Sequence, residues 1–451
     1  MDRLSVSPDE FRRLAARAVE RAARYLERLR DLPSFPATSG AESLATFDRP
    51  LPARGMGAAA FDEIENVIAN SRPCGPAFFG YVLGSGEPVA AVADLVASVL
   101  NQNVTAWRSG PAAVTIERTV VRWLAEAIGC PGFTGSLTGG GSMANLMALA
   151  MARDGQGTIY ASSEAHMSIP KAAALLGLGH DAVRAIAVNE SFRMIPEALD
   201  RAIEEDVRAG KRPLAVVATA GTVNTGSIDP LEEIAEIADR RGLWLHVDGA
   251  YGALAALTVP ERFRGLDRAD SISLDPHKWL YQPLDCGCLL FRDRTAARAA
   301  FSHTGDYART LQSDPVESFA FFDESLELSR RFRALKLWLS LRYHGVDAFR
   351  DAIRGDLALA QRLASRIDAE PALERLAPVA LSAVCFRHEG SDDFNLRILR
   401  RTIARGRVYL SNATVHGRFA LRACIVNHRS TEEDVDAVVA ETLAAAGQES
   451  A

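Results

Sequence analysis

Residues 243–279 read LWLHVDGAYGALAALTVPERFRGLDRADSISLDPHKW. Two short apolar runs, 243–247 and 271–274, each break off at polar residues: Asp248 after the first, and Asp275, His277 and Lys278 after the second. Short apolar runs bounded by breakers predict strands. Similar runs lie at 158–161, 183–188, 214–219 and 286–291. Amphipathic segments separate them, such as 230–241, where LEEIAEIADRR follows Pro230. That alternation predicts crossover units and a mostly parallel sheet, the α/β class. Ligands on such a sheet gather at the carboxyl ends of its strands. The candidate functional residues are therefore those just beyond each run.

On the N-terminal side, Ser7-Pro8-Asp9-Glu10 predicts a helix start, with Ser7 as cap, Pro8 in the first turn and Glu10 closing a capping box. Phe11, Leu14, Ala18, Ala22, Tyr25 and Leu29 continue it as one apolar stripe. Residues 31–55, rich in Pro, Gly and Ser, read as a linker, and a second helix carries Phe61, Ile64, Val67 and Ile68. These helices have little to bury against each other, which predicts packing on the main body or on a partner subunit. On the C-terminal side, 330–343 predicts a helix leaving the large domain, and 431–446 a closing helix capped by Thr431. The expected division is an N-terminal helical segment (1–83), a large domain around a mostly parallel seven-stranded sheet (84–338), and a small C-terminal α/β domain (339–451).

The chain's 451 residues exceed one core, and 48% hydrophobic with 24% charged residues is an ordinary globular balance. A net charge of -6 argues against nucleic acid or an acidic membrane surface as partner. No run approaches the roughly 18 apolar residues of a membrane helix, and the charged N-terminus has no apolar core of a signal peptide. The six cysteines form no CxxC pair, so neither a metal site nor a disulfide framework is indicated. A cytoplasmic enzyme is the expectation. Lysine is scarce: only Lys171, Lys211, Lys278 and Lys336 are available to chemistry that needs an amine.

Thr138-Gly139-Gly140-Gly141-Ser142 runs directly into a helical pattern. Glycines let backbone N–H groups approach an anion, and a helix N-terminus adds partial positive charge. The segment reads either as a phosphate cradle using Gly140, Gly141 and the Ser142 hydroxyl, or as a tight turn with a serine cap. It is neither a Walker loop nor a GxGxxG fingerprint, and Ala144 spoils a nucleophile elbow. Asp248 reads as a carboxylate aimed at a cationic ligand nitrogen or as a loop cap. Lys278, wedged between His277 and Trp279, is hard to explain as a solvated surface lysine. A phosphate cradle, a strand-end aspartate and a strand-end lysine together specify pyridoxal phosphate.

With DPHKW and HVDGAYG in tandem, the chain resembles the group II pyridoxal-phosphate-dependent amino-acid decarboxylases, in particular the aromatic-L-amino-acid decarboxylase branch and its bacterial relatives. The resemblance extends over nearly the whole chain. It takes in Pro76–Tyr81, the Trp107–Ala113 stretch with Glu117 after it, Ser163-Glu164-Ala165-His166, Ala220-Gly221-Thr222 and Phe419–Arg422. It implies a fold type I architecture like that of aspartate aminotransferase, and a homodimer with shared active sites.

The resemblance further implies that Lys278 carries the cofactor, that His166 stacks on its ring, and that Asp248 pairs with the ring nitrogen. Ala250 would pack beneath the ring, His277 would meet the phosphate, and Thr222 the cofactor or substrate. Tyr307, 29 residues after Lys278, matches the tyrosine that protonates the α-carbon after carbon dioxide leaves. Relatives with phenylalanine there are aldehyde synthases, so Tyr307 favours simple decarboxylation. Arg422 matches the substrate-carboxylate arginine, or serves a structural ion pair. Phe78, Phe79, Tyr81 and Trp107 suggest an aromatic-lined substrate pocket, or are core. Gly75 and Ala77 depart from the family, which often has histidine and tyrosine there, and put substrate identity in question. The expected reaction is decarboxylation of an aromatic L-amino acid. Its alternatives are a glutamate or other non-aromatic decarboxylase, an aromatic aldehyde synthase, and a cofactor-binding protein without turnover. The intact set of Lys278, Asp248, His166 and Tyr307 argues against the last.

Overall fold

The computed structural model describes residues 4–303 and 314–450. Seven strands build the main sheet: β1 (Thr134–Thr138), β2 (Thr158–Ser162), β3 (Val183–Ile186), β4 (Pro213–Thr219), β5 (Trp244–Asp248), β6 (Ser271–Leu274) and β7 (Gly287–Phe291). Their order is β1-β7-β6-β5-β4-β2-β3. Strands β3, β2, β4, β5 and β6 pair in parallel, and β7 alone runs against both its neighbours. The mostly parallel sheet is therefore as expected. β1 has no counterpart among the expected strands, because TGSLT carries little apolar signal. Its Gly135 is demanded by β7, since a Cβ there would lie 1.9 Å from the Leu289 carbonyl oxygen.

The register of the central strands lines up polar residues. Thr219, Asp248 and Ser273 stand side by side at the carboxyl ends of β4, β5 and β6, and His246 pairs with Ser271 two residues earlier. Side chains two apart on a strand share a face. His246 and Asp248 therefore point the same way as Ser271 and Ser273. The helix Gly141–Ala152 covers that face and packs Ala144, Met147, Ala148 and Met151 against Leu289 and Phe291.

A second sheet holds β8 (Leu373–Arg375), β9 (Ala383–His388), β10 (Ser411–Val415) and β11 (Arg418–Cys424). It is antiparallel throughout, in the order β10-β11-β9-β8. The helices Val346–Asp368, Asp392–Ala404 and Glu432–Ser450 pack with it. The division expected between 338 and 339 falls within the helix Ala334–His344, whose Leu335 and Leu337 belong to the core of the first sheet.

Local signals near the N-terminus were partly misleading. Ser7 does cap the helix Pro8–Arg28 by accepting from the Glu10 N–H at 3.1 Å, but the Glu10 carboxylate turns to Arg13 instead of closing the box. The reciprocal box forms at Ser39 and Glu42, starting a helix Gly40–Phe47 inside the expected linker.

One buried ion pair ties the large layer together. Glu117, on the helix Pro111–Ala127, accepts from the Leu137 N–H at 2.9 Å and pairs with Arg330; both side chains are fully buried. Arg330 also donates to the carbonyls of Val104 and Leu137 at 2.9 and 2.8 Å. The pair thus clamps β1, the strand that leads into the glycine-rich turn. Removing one partner of a buried pair strands the other charge and costs about 3–5 kcal/mol. Arg330→Met is expected to lower the denaturant midpoint accordingly, which equilibrium unfolding would measure.

Candidate active site

At the carboxyl ends of β4, β5 and β6 lies a cleft of about 270 Å³. Gly139, Gly140, Gly141 and Ser142 line it, together with Asn145, His166, Asp248, Ala250, Asp275, His277 and Lys278. Segments more than a hundred residues apart in sequence thus converge on one place.

The glycine-rich turn forms one end. Gly140 caps the helix Gly141–Ala152 at φ 133°, a conformation that L side chains rarely adopt. Its N–H donates to the Thr138 hydroxyl at 3.3 Å, which fixes the turn to β1. A Cβ on Gly141 would sit 2.7 Å from Cβ of Ala250 and 3.1 Å from the Asp275 carboxylate, so only glycine fits. The first N–H groups of a helix have no intrahelical acceptor. A bare helix start opening on a polar cleft suits a phosphate, and the residues present fit pyridoxal phosphate.

Lys278 stands in the short helix Pro276–Trp279 directly after β6. Its Nζ lies 2.9 Å from Oδ2 of Asp275, and its side chain is 18% exposed. His277 donates from Nδ1 to the Cys286 carbonyl at 2.8 Å, and burial pushes its pKa below the ordinary imidazole value. Of the other lysines, Lys336 is buried against Asp94 and the Pro283 carbonyl, Lys211 pairs with Asp206, and Lys171 is exposed.

Asp248 is 5% exposed and is held by neutral donors. Ser273 Oγ and the Ala250 N–H donate to its Oδ1 at 3.0 and 3.2 Å, and Asn145 Nδ2 donates to Oδ2 at 2.9 Å. The His166 Nδ1 accepts from the Ser168 N–H at 3.2 Å, and burial lowers the pKa of the ring. Burial thus favours the uncharged ring of His166.

Other expected residues lie elsewhere. Thr222 is buried beside the cleft, its hydroxyl 2.9 Å from that of Thr225 and accepting from the Ser227 N–H; Gly221 and Val223 line the cleft in its place. Of the two readings of the aromatic residues, core or pocket lining, the structure favours the core for Phe78, Phe79 and Trp107. Phe79 belongs to the core of the second sheet, because the segment around it pairs like an extra strand: its N–H donates to the Tyr409 carbonyl at 2.9 Å. Phe78 stacks on Tyr409 with centroids 4.7 Å apart, and Trp107 packs against the large core. None of these three, nor Tyr81, lines the cleft in this chain. Arg422 does not line it either; it donates to the carbonyls of Asn224 and Tyr81 and to the Ser411 hydroxyl, each at 3.1 Å. Tyr307 lies outside the described residues.

Asn145, His246 and Asp275 stood within motifs read from the sequence but were given no role of their own, and Ser168 escaped that reading altogether. Two signals were available: His246 and Asp248 share a strand face, and Asn145 lies one helical turn beyond Gly141. Gly84 was missed as well. A Cβ there would meet the carbonyl oxygens of His277 and Lys278 at 2.2 and 2.6 Å, so this glycine lets the chain pass against the lysine.

A lysine, a donor-held aspartate, a histidine and a glycine-rich helix start around one cleft are the parts of a pyridoxal-phosphate enzyme. The family model of the pyridoxal-dependent decarboxylase conserved domain matches residues 61–389, and the chain belongs to that family. It is 33% identical to an aromatic-L-amino-acid decarboxylase of Bacillus atrophaeus, covering 96% of this chain and 95% of that protein. It is 30% identical to a phenylacetaldehyde synthase of Petunia hybrida, covering 93% and 91%. The crystal structure of Oryza sativa TDC with PLP and tryptamine superposes with a TM-score of 0.93 at 26% identity, covering 100% and 99% of the two chains. The chain is a pyridoxal-phosphate-dependent carboxy-lyase acting on an amino acid.

Gly140→Ala would force alanine into the left-handed region, at about 1–3 kcal/mol of strain. Cofactor affinity is expected to fall roughly ten- to a hundredfold, which fluorescence titration with pyridoxal phosphate would measure.

Proposed function

We propose that the substrate is an aromatic L-amino acid, released as its amine and carbon dioxide. The observation that carries this reading is the 33% identity, over nearly the full length of both chains, to an enzyme named for aromatic substrates. The cleft adds support. Its cationic or potentially cationic side chains, among the described residues, are Lys278, His166 and His277; it has no arginine for the second carboxylate of glutamate, and Val223, Tyr251 and Leu284 give it apolar surface.

Bound pyridoxal phosphate supplies the electron sink for the bonding pair left when the carboxylate departs. In this reading Lys278 binds the cofactor covalently, and Gly140, Gly141, Ser142 and His277 hold its phosphate. Asp248 keeps a proton on the ring nitrogen, which deepens the sink. His166 would cover one face of the ring, and Ala250 would leave room on the other. Tyr307 delivers a proton to the α-carbon. Thr222 acts by shaping the loop that carries Gly221 and Val223. Arg422 acts by fixing the Asn224 carbonyl, next to Val223 of the cleft, and the Tyr81 carbonyl.

A homodimer completes the proposal. The helix Pro8–Arg28 buries none of its residues, and Phe11, Val19 and Leu26 are exposed along it. The helix Pro88–Leu100 likewise exposes Val92, Leu95, Val96 and Val99. Among the described residues no helix is long and apolar enough to cross a membrane. Six free cysteines, five of them buried, suit a reducing compartment, and we assign the enzyme to the cytoplasm.

The test is incubation of the cofactor-loaded protein with the twenty amino acids, products being identified by mass spectrometry. One or two aromatic amines are expected, each lighter than its parent by carbon dioxide. Amines from glutamate or aliphatic amino acids alone would overturn the substrate assignment. Tyr307→Phe is expected to turn the product from amine toward aldehyde, with oxygen consumed and ammonia and hydrogen peroxide formed. An unchanged amine yield would remove Tyr307 from the proton-delivery role.

A further inference from the structure

We propose that Asn145 and His246 are positioning residues, linked in a one-way chain of hydrogen-bond donors that runs from the Trp244 indole to Asp248 and branches to His166. The inference rests on the pyridoxal-phosphate reading for its function, but its geometry stands without it.

The chain has six links. Trp244 Nε1 donates to Ser271 Oγ at 2.9 Å, and Ser271 Oγ lies 2.9 Å from His246 Nδ1. His246 Nε2 lies 2.9 Å from Asn145 Oδ1. Asn145 Nδ2 lies 2.9 Å from both Asp248 Oδ2 and Ser168 Oγ. Ser168 Oγ lies 2.8 Å from His166 Nδ1. His246, Asn145 and Ser271 are buried at 0%, 1% and 0% exposure, so water does not compete for these groups.

The direction follows from the two ends. An indole N–H can only donate, and a carboxylate can only accept. The atom of Asn145 that faces Asp248 must therefore be its NH2, which turns Oδ1 toward His246. An amide oxygen only accepts, so His246 carries its proton on Nε2, and its bare Nδ1 takes the Ser271 hydroxyl proton. Ser271 can give that proton because the indole N–H already supplies its oxygen. Burial holds the His246 pKa down at about 4, in keeping with a neutral ring.

The second amide hydrogen of Asn145 fills Ser168 Oγ, whose own proton goes to His166 Nδ1. The Ser168 N–H converges on the same nitrogen at 3.2 Å. His166 is thereby fixed with its proton on Nε2. One amide thus sets both the aspartate that meets the cofactor nitrogen and the histidine that covers the ring. Every branch uses a neutral donor, so the carboxylate is oriented without a competing cation.

The first test uses the unaltered protein. Nitrogen-15 NMR of histidine-labelled chain, with and without pyridoxal phosphate, is expected to show His246 and His166 as neutral Nε2–H tautomers from pH 6 to 8. Resonances are assigned by His246→Gln and His166→Gln. An Nδ1–H tautomer or an imidazolium at His246 would overturn the proposal, whatever the enzyme's activity. The second test compares two variants in the loaded enzyme. Glutamine at 246 can still accept from Ser271 and donate to Asn145, whereas leucine can do neither. His246→Leu is expected to lower kcat about 10- to 100-fold with KM little changed and to release the His166 tautomer, and His246→Gln to restore most of the loss. Equal loss in both variants, or no change in either, would reduce His246 to a packing role.

Discussion

A carboxylate buried at the end of a sheet must be surrounded by donors, and almost everything near the cleft serves that requirement at Asp248. Ser273 reaches it from the next strand, the Ala250 N–H from its own loop, and Asn145 from the helix above. That helix can come so close because it begins on glycines, with Gly141 against Ala250 and Gly140 against Gly287. The same glycines bare the N–H groups that suit a phosphate. One packing arrangement therefore provides both the anion cradle and the orientation of the aspartate.

Lysine placement follows from the same sheet. β6 ends beside β5, so Lys278, four residues past the last strand residue, lines the same cleft as Asp248. Asp275 meets its ammonium at 2.9 Å, and Gly84 lets the chain pass against its backbone. The β1 strand that supplies the cradle is held by the buried Glu117–Arg330 pair, more than a hundred residues from the lysine in sequence at its Glu117 end. Chemistry at the cleft thus depends on contacts well outside it.

Much of this was legible in the sequence, because strand ends write polar residues directly after apolar runs. HVDGAYG and DPHKW pointed to Asp248 and Lys278, and the three glycines before SMAN to a helix start, all of which the structure brings to one cleft. What stayed hidden were residues whose meaning depends on register. His246 looks like one more strand residue until Asn145 is brought over it. Phe79 could be read as pocket lining or as core, because nothing local reveals that its segment joins the second sheet. Arg422 likewise turned out to be engaged by main-chain carbonyls that only tertiary structure brings near it. The helix Gly40–Phe47 was masked by the Pro- and Gly-rich composition around it, although Ser39 and Glu42 spelled out its capping box.

The central claim is that Lys278 is the residue to which this family's cofactor is joined. Borohydride reduction of the pyridoxal-phosphate-loaded protein, followed by protease digestion and mass spectrometry, tests it most directly. The pyridoxyl group is expected on the peptide containing Lys278 and on no other. Labelling of Lys171, Lys211 or Lys336 instead, or no stable label at all, would contradict the account.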